Sequence, residues 1–434
     1  MARMIAAPTL AHPAGRYAAF LAAYLYQGLV AGFSLTALAN HYAGVGLSAA
    51  EVGGHFALAG LPWAVQPLLW GPLLDRARAS RLGRRRVWLI AGLLGAQAAL
   101  ALLLLVPDER SLGLVGAVFC LHSAFAALMD TAADRLILDH VPKSELGRTS
   151  ACTRAGFVLG TAAGTLLFSW SLASLGFAAS VRILLAASGL AGLLAVTVRE
   201  APGDALIWPA RARAAAGPDR RRPLGRFLRR LLASMRRPQA LRLLALCFAI
   251  DFGLALFEVR LGVALVQEFG WDSGALSRAQ AGLGLLAGTL GALAVGIWAD
   301  RAGPARALRG LLLACCAAFG GIALLIATGR AGEAGALILA LASLPPALLV
   351  VALVPAVMGA SRGSGSAATQ FELYMAVLNL GSVAGAAAAG AAGPLLGLAG
   401  TAALAAAVFA AGTLLAARPH LILRPPARRP GNIA

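Results

Sequence analysis

The stretch Gly71–Ile90, "GPLLDRARASRLGRRRVWLI", sets six arginines and one aspartate between two long apolar runs. A cluster this basic is a common feature of nucleic-acid and phosphate sites. The rest of the chain argues otherwise. Of its 434 residues 59% are apolar and 13% charged, against about a quarter charged in ordinary globular domains. Mean hydropathy is +0.79. Apolar stretches of about twenty residues, the length a helix needs to cross the hydrocarbon core, recur from one end to the other. The composition is that of a polytopic all-helical membrane protein.

Twelve spans are expected, at 17–42, 53–74, 87–106, 112–138, 149–172 and 181–198, then 240–265, 276–299, 310–328, 333–358, 366–392 and 398–417. Basic residues gather in alternate loops, and the intervening loops carry only Arg110, Arg182, Arg278 and Arg330. Because short loops rich in Lys and Arg stay in the cytoplasm, both termini and the arginine stretch are expected inside. The net charge of +19 then reflects topology and contact with anionic lipid headgroups, not nucleic acid. Residues 1–16 lack the order of a signal peptide, so the first helix is expected to stay in the mature chain. Cys120, Cys152, Cys247, Cys315 and Cys316 all fall within spans, without metal or disulfide spacing, and are expected to pack. No metal or cofactor is expected.

The longest connection divides the chain into an N-terminal six-helix bundle (1–198), a basic linker (199–239) and a C-terminal six-helix bundle with its tail (240–434). Within the linker, "PLGRFLRRLLASM" places Leu224, Phe227, Leu228, Leu231, Leu232 and Met235 on one helical face and Arg226, Arg229 and Arg230 on the other, the pattern of a helix lying in the membrane interface. The opening motif recurs: Gly71, Asp75 and Arg76 of "GPLLDR" correspond to Gly296, Asp300 and Arg301 of "GIWADR". Both copies join the second and third spans of their half, as in transporters built from internal repeats.

The pattern Gly-x-x-x-Asp-Arg followed by "GRRR", present in duplicate, resembles the signature of the major facilitator superfamily. "LLWGPLLDRARASRLGRRRVWL", "MDTAADRLILDHVP" and "SAATQFELY" resemble segments of its AmpG-type muropeptide permease branch, which is related to siderophore permeases and acetyl-CoA transporters. The resemblance implies two bundles rocking about a central site and uptake of a mid-sized polar metabolite, muropeptide first and siderophore as the alternative. In that branch cations in the fifth and eighth helices are expected to hold an anionic substrate. This chain has Val158 and Ala281 there, with Arg154 one turn before Val158.

Ionisable groups inside spans are costly enough to be functional candidates: Asp130, Asp134, Arg135, Arg154, Asp251, Glu258, Arg260 and Glu372. Asp130 and Asp134, four apart, share a helix face, and neighbouring carboxylates resist simultaneous ionisation. They and Asp251 and Glu258, two turns apart on the seventh span, are the proton-coupling candidates. Arg154 is expected opposite Asp130 and Asp134. Trp63, Gln66, Arg154, Gln370, Glu372 and Asn379 are the candidate substrate contacts. The glycines Gly156, Gly160, Gly164, Gly381 and Gly385 suit close helix packing. Gly71, Asp75, Arg76 and Arg84, with Gly296, Asp300 and Arg301, form an expected conformational latch: Asp75 facing the N-terminus of the eleventh helix near Ser366, and Asp300 that of the fifth near Thr149 and Ser150, where helix dipoles favour an anion. The fifth span lacks the Gly-Pro motif of drug–proton antiporters, which favours import. No nucleophile triad, phosphate loop or metal cluster supports an enzyme. A membrane sensor or scaffold of degenerate transporter fold is the reading from a different class.

Overall fold

A computed structural model of the chain describes residues 8–75, 80–108, 110–142, 145–206, 224–361 and 367–417. In a hydrocarbon solvent every backbone N–H and C=O must be paired internally, and the apolar runs accordingly form helices. They are α1 (Pro13–Gly44), α2 (Ala49–Asp75), α3 (Arg86–Leu105), α4 (Leu112–His140), α5 (Leu146–Leu175), α6 (Phe177–Val196), α7 (Pro238–Gln267), α8 (Ser273–Ala299), α9 (Pro304–Ala327) and α10 (Ala331–Ser361). A final helical run, Ala367–Ala416, is broken at Gly397, whose φ of 63° is non-helical, into α11 (367–396) and α12 (398–416).

Ten stretches among the described residues are long and apolar enough to cross a membrane. One of them, Thr369–Ala416, is 48 residues long. At 1.5 Å per residue it is about twice the length one crossing requires, so the break at Gly397 separates two crossings. The 27 residues of α2 are long enough for another, which agrees with twelve. Arg182, expected in a loop, lies inside α6, because that helix starts at Phe177. The outer surface is apolar: Leu94 is 66% exposed and Leu414 75%, positions that face lipid.

Two glycine seams order the packing. A Cβ on Gly156, Gly160 or Gly164 of α5 would stand 2.6, 2.5 or 2.5 Å from the carbonyl oxygens of Leu21, Leu25 and Leu29 on α1. On α11, Gly381 and Gly385 abut the carbonyl oxygens of Phe248 and Phe252 on α7 in the same way. Only glycine lets helix backbones approach so closely. The first–fifth and seventh–eleventh pairs are corresponding pairs of a six-plus-six repeat. Two neighbours of α5 carry a π-helical turn beside it, Gly32–Ala37 in α1 and Ala287–Gly291 in α8. One apolar core is built mainly from α1–α6 and a second from α7–α12.

At the end opposite the arginine stretch the two sets of helices are tied together. Asn40 on α1 donates to Ser277 Oγ (2.9 Å) and Gln280 Oε1 (2.7 Å) on α8. Gln267 at the end of α7 donates to the carbonyls of Ala43 (3.0 Å) and Leu47 (2.8 Å). Alongside, Gly390 of α11 packs on Ala50 of α2.

The arginine-rich end shows what part of the opening stretch does. Glu200, just beyond α6, accepts the backbone N–H groups of Arg85 and Arg86 at 2.8 Å each, capping the start of α3, and lies 3.4 Å from His140 Nε2. Burial alone would raise the Glu200 carboxyl, but the bonds from His140, Arg86 and Arg85 outweigh it and hold it below the usual carboxylate range. Arg86, 2% exposed, donates to the carbonyls of Leu82 (3.2 Å), Ala205 (3.0 Å), Leu206 (3.1 Å) and Val196. Arg85 pairs with Asp139 at 3.2 Å and donates to the Leu74 carbonyl. These arginines are internal staples as well as a topology signal.

The expected linker helix spans Leu224–Met235. Leu231 and Met235 are buried in the second core, while Leu232 is 56% exposed. Part of the face expected to meet the membrane therefore meets protein. The side chains of Leu224, Arg226, Phe227, Leu228 and Arg230 lie outside the described residues.

Candidate functional site

The polar centre draws side chains from α1, α2 and α4 beside the contact of α2 with α11. Asp130, half-buried on α4, is held by two amides: Gln27 Nε2 donates to Oδ1 at 2.9 Å and Gln66 Nε2 to Oδ2 at 3.3 Å. Gln66 also donates to Thr131 Oγ1 at 3.0 Å, and Thr131 donates back to the Ala127 carbonyl at 2.8 Å. One turn on, Asp134 accepts from the Tyr24 hydroxyl at 3.1 Å. Glu372 on α11 is an electrostatic neighbour of Asp134, and Arg135 acts on Glu372 in turn. Pro67, Gly71, Thr131, Arg135, Thr369 and Glu372 line a partly open hollow of about 10 Å³, room for about one water.

The carboxylate pair expected on one face of α4 is thus in place, and a third carboxylate joins it from α11. Tyr24 and Gln27 were not singled out from the sequence. Their signal was available as polar side chains three apart inside the apolar run "AAYLYQGLV", the i, i+3 spacing that puts both on one helix face.

Arg154 is not where the sequence placed it. Helix α5 packs against α1 and α8, so the guanidinium does not oppose Asp130 and Asp134, and no ion pair joins them among the described residues. It lies 5.9 Å over the Phe157 ring, and its buried Nε has no partner. Val158, one turn further, is buried against Gly288 of α8. Ala281, 5% exposed, is also packed. On α7, Asp251 is half-buried and Glu258 exposed. Arg260 pairs with Glu268, the residue that follows the end of α7, a local structural bond.

Among the other expected substrate contacts, Asn379 Nδ2 donates to the Trp63 carbonyl at 3.4 Å, joining α11 to α2. Gln66 is 5% exposed and Gln370 4%. Both amides are engaged in this conformation, Gln66 as above and Gln370 with Ser234 of the linker helix. For the latch, the side chains of Asp75, Asp300 and Ser150 lie outside the described residues, as do Arg76 and Ser366. Arg301 is exposed, and Arg84 is half-buried. A Cβ on Gly71 or Gly296 would meet nothing within 4 Å, so the paired motif glycines face open space in both copies.

A helical membrane chain with two corresponding glycine seams, a duplicated signature loop and a carboxylate cluster at the junction is a transporter architecture. Residues 17–386 match the model of the Major Facilitator Superfamily, and the chain belongs to that family. It is 28% identical over 256 residues to the anhydromuropeptide permease of Escherichia coli K12, and to that of Escherichia coli O157:H7. The match covers 59% of this chain and 50% of either relative, so the chain spans half the length of the curated relatives it matches. Among solved structures, a POT family transporter in complex with a thioalcohol-conjugated peptide superposes with a TM-score of 0.69 at 12% identity, over 94% of this chain and 97% of that one. The human organic anion transporter MFSD10 gives 0.61 at 19%, over 93% and 98%. The nucleoside transporter NupG gives 0.64 at 12%, also over 93% and 98%. These likenesses establish the fold.

Proposed function

We propose that this protein is a proton-coupled importer of the bacterial inner membrane, with both termini cytoplasmic, whose substrate is a mid-sized polar metabolite of the muropeptide class. The observation that carries the coupling is the carboxylate cluster Asp130, Asp134 and Glu372 at the junction of two six-helix bundles. Buried carboxyls that can exchange a proton are costly in a membrane and suit a proton carrier. Asp251 and Glu258 on α7 supply further carboxyls for the coupling path. Similarity to the Escherichia coli anhydromuropeptide permeases supports the substrate class. Arg154, with an unpartnered Nε, is the cation proposed to meet an anionic group, and Trp63 and Asn379, joined where α2 meets α11, are further proposed substrate contacts. The motif residues Gly71, Asp75, Arg76 and Arg84, with Gly296, Asp300 and Arg301, form the latch between the bundles. The packed, apolar surroundings of Val158 and Ala281 favour a siderophore as the second reading.

The test is uptake of radiolabelled anhydromuropeptide into proteoliposomes under an inward proton gradient. Accumulation that collapses with a protonophore supports the reading. Accumulation of a ferric siderophore instead would move the substrate to the second reading, and gradient-independent uptake of either would remove the coupling. Cysteine labelling in intact cells tests orientation: Ser80→Cys and Ser234→Cys should be protected from an impermeant reagent and Ser273→Cys labelled. Labelling of Ser80→Cys from outside would reverse the topology.

A further inference from the structure

The linker helix (Leu224–Met235) ends just before α7 begins at Pro238. At 1.5 Å per residue, the 30 residues of α7 extend about 45 Å, the thickness of a bilayer with its headgroup layers. The start of α7 therefore stands at headgroup depth, and the linker helix is held there with it. Its buried side, Leu231 and Met235, belongs to the second core. The opposite side carries Arg229, Leu232, Ala233 and Arg236, spaced i, i+3, i+4 and i+7 and all exposed. Arg237 and Leu241 follow in the chain and are exposed as well. No acidic residue lies between Asp219 and Asp251, a stretch with nine arginines. Among the described residues Arg229, Arg236 and Arg237 form no ion pair.

We propose that this face is a binding site for the anionic phospholipids of the bilayer, and that its occupation secures the N-terminal end of α11. Neither the substrate nor proton coupling enters the argument.

Charge and depth select the occupant. Phosphodiester headgroups present anionic oxygens at the level where these guanidinium groups stand, and a guanidinium fork pairs with phosphate through parallel N–H···O bonds. Basic residues beside a negatively charged bilayer each add to the attraction. The leucines suit the same partner: Leu232 and Leu241 meet the acyl boundary while the long arginine side chains reach the headgroups. A soluble acidic segment matches the charge but not exposed leucines at this depth.

The link to α11 is one side-chain bond. Gln370, in the first turn of α11 and buried, donates to Ser234 Oγ on the linker helix. Thr369 and Glu372, on either side of it in sequence, line the hollow shared with Pro67 and Gly71 of α2. Headgroups that fix the linker helix therefore also restrain the segment of α11 that faces α2.

The test is hydrogen exchange on the full-length protein in nanodiscs of phosphatidylcholine with increasing phosphatidylglycerol. Both leaflets carry the lipid, so the result does not depend on orientation, and uptake is not read. Phosphatidylglycerol should slow exchange by at least about tenfold across 229–237 and in the first two turns of α11, as expected where binding suppresses local opening. Arg229→Gln, Arg236→Gln and Arg237→Gln combined should abolish both effects. Lysine at the same three positions keeps the charge and should retain most of both. Ser234→Ala should keep the protection of the linker helix and lose that of α11. Exchange that ignores phosphatidylglycerol, or that responds equally in the triple Gln variant, overturns the site. Protection reproduced in pure phosphatidylcholine by glycerol phosphate or by polyglutamate would assign the arginines to a soluble phosphate or an acidic protein, and overturn the lipid site. Protection of the linker helix without protection of α11 in wild type would overturn the link through Gln370.

Discussion

Glu200 occupies the space that a side chain on Gly83 would need: a Cβ there would lie 2.8 Å from the Glu200 Cβ and also meet its carboxylate. Gly83 has φ +107°, a conformation that glycine adopts freely and other residues do not. The turn and the carboxylate are thus one unit, in which Gly83 leaves room for Glu200 to reach the N–H groups at the start of α3. Gly83→Ala should lower the apparent melting temperature in detergent. So should Glu200→Ala, by about 2–3 kcal/mol of stability, because two buried N–H groups and His140 lose a charged partner. The Glu200 carboxyl is held below its ordinary value of 4.5. Its contribution is therefore complete above about that pH and is lost as pH falls through the lower folded value. The difference between wild type and Glu200→Ala should narrow on acidification. A difference that grows instead would contradict the capping role.

Gly160→Ala and Gly385→Ala should each destabilise by about 1–3 kcal/mol, the usual cost of overpacking, since a Cβ there meets a neighbouring helix backbone. Gly71→Ala and Gly296→Ala, facing open space, should leave thermal stability unchanged. Uptake in the latter pair is the informative readout. A stable Gly71→Ala protein with impaired uptake would show that another conformation closes on this glycine, as the latch requires; normal uptake would remove Gly71 from the latch.

A Cβ on Gly44 would lie 3.4 Å from the Ser273 Cβ, close to the separation that a disulfide spans. In a background with the native cysteines replaced, the pair Gly44→Cys and Ser273→Cys should oxidise readily and arrest uptake until reduced. These residues bridge α1 and α8 at the end tied by Asn40. Cross-linking without any effect on uptake would mean that this end does not need to open.

Arg154→Ala should raise the substrate KM by about ten- to a hundredfold, the loss of a charged hydrogen bond, with Arg154→Lys recovering part of it. Asp251→Asn removes a charge at nearly constant volume and should abolish accumulation against a gradient while permitting downhill exchange. Initial rates and steady-state accumulation in proteoliposomes separate the two effects. An unaltered KM in Arg154→Ala would return that arginine to packing over Phe157.

By itself, the sequence determined that the chain crosses a membrane many times, because apolar runs of sufficient length have no other stable solvent. It also determined the repeat, since "GPLLDR" and "GIWADR" recur at equivalent loops, and the pairing of Asp130 with Asp134, which helical periodicity places on one face. Each is a local property of composition or spacing. Which helices meet was decided only in three dimensions. The sequence put Arg154 opposite Asp130 on the assumption that consecutive helices pack together. The glycine seam instead joins α5 to α1, with Val158 packed against Gly288 of α8. Glu372 is 238 residues from Asp134, and no periodicity links them. Glu372 comes near the carboxyls of α4 because α11 packs on α2.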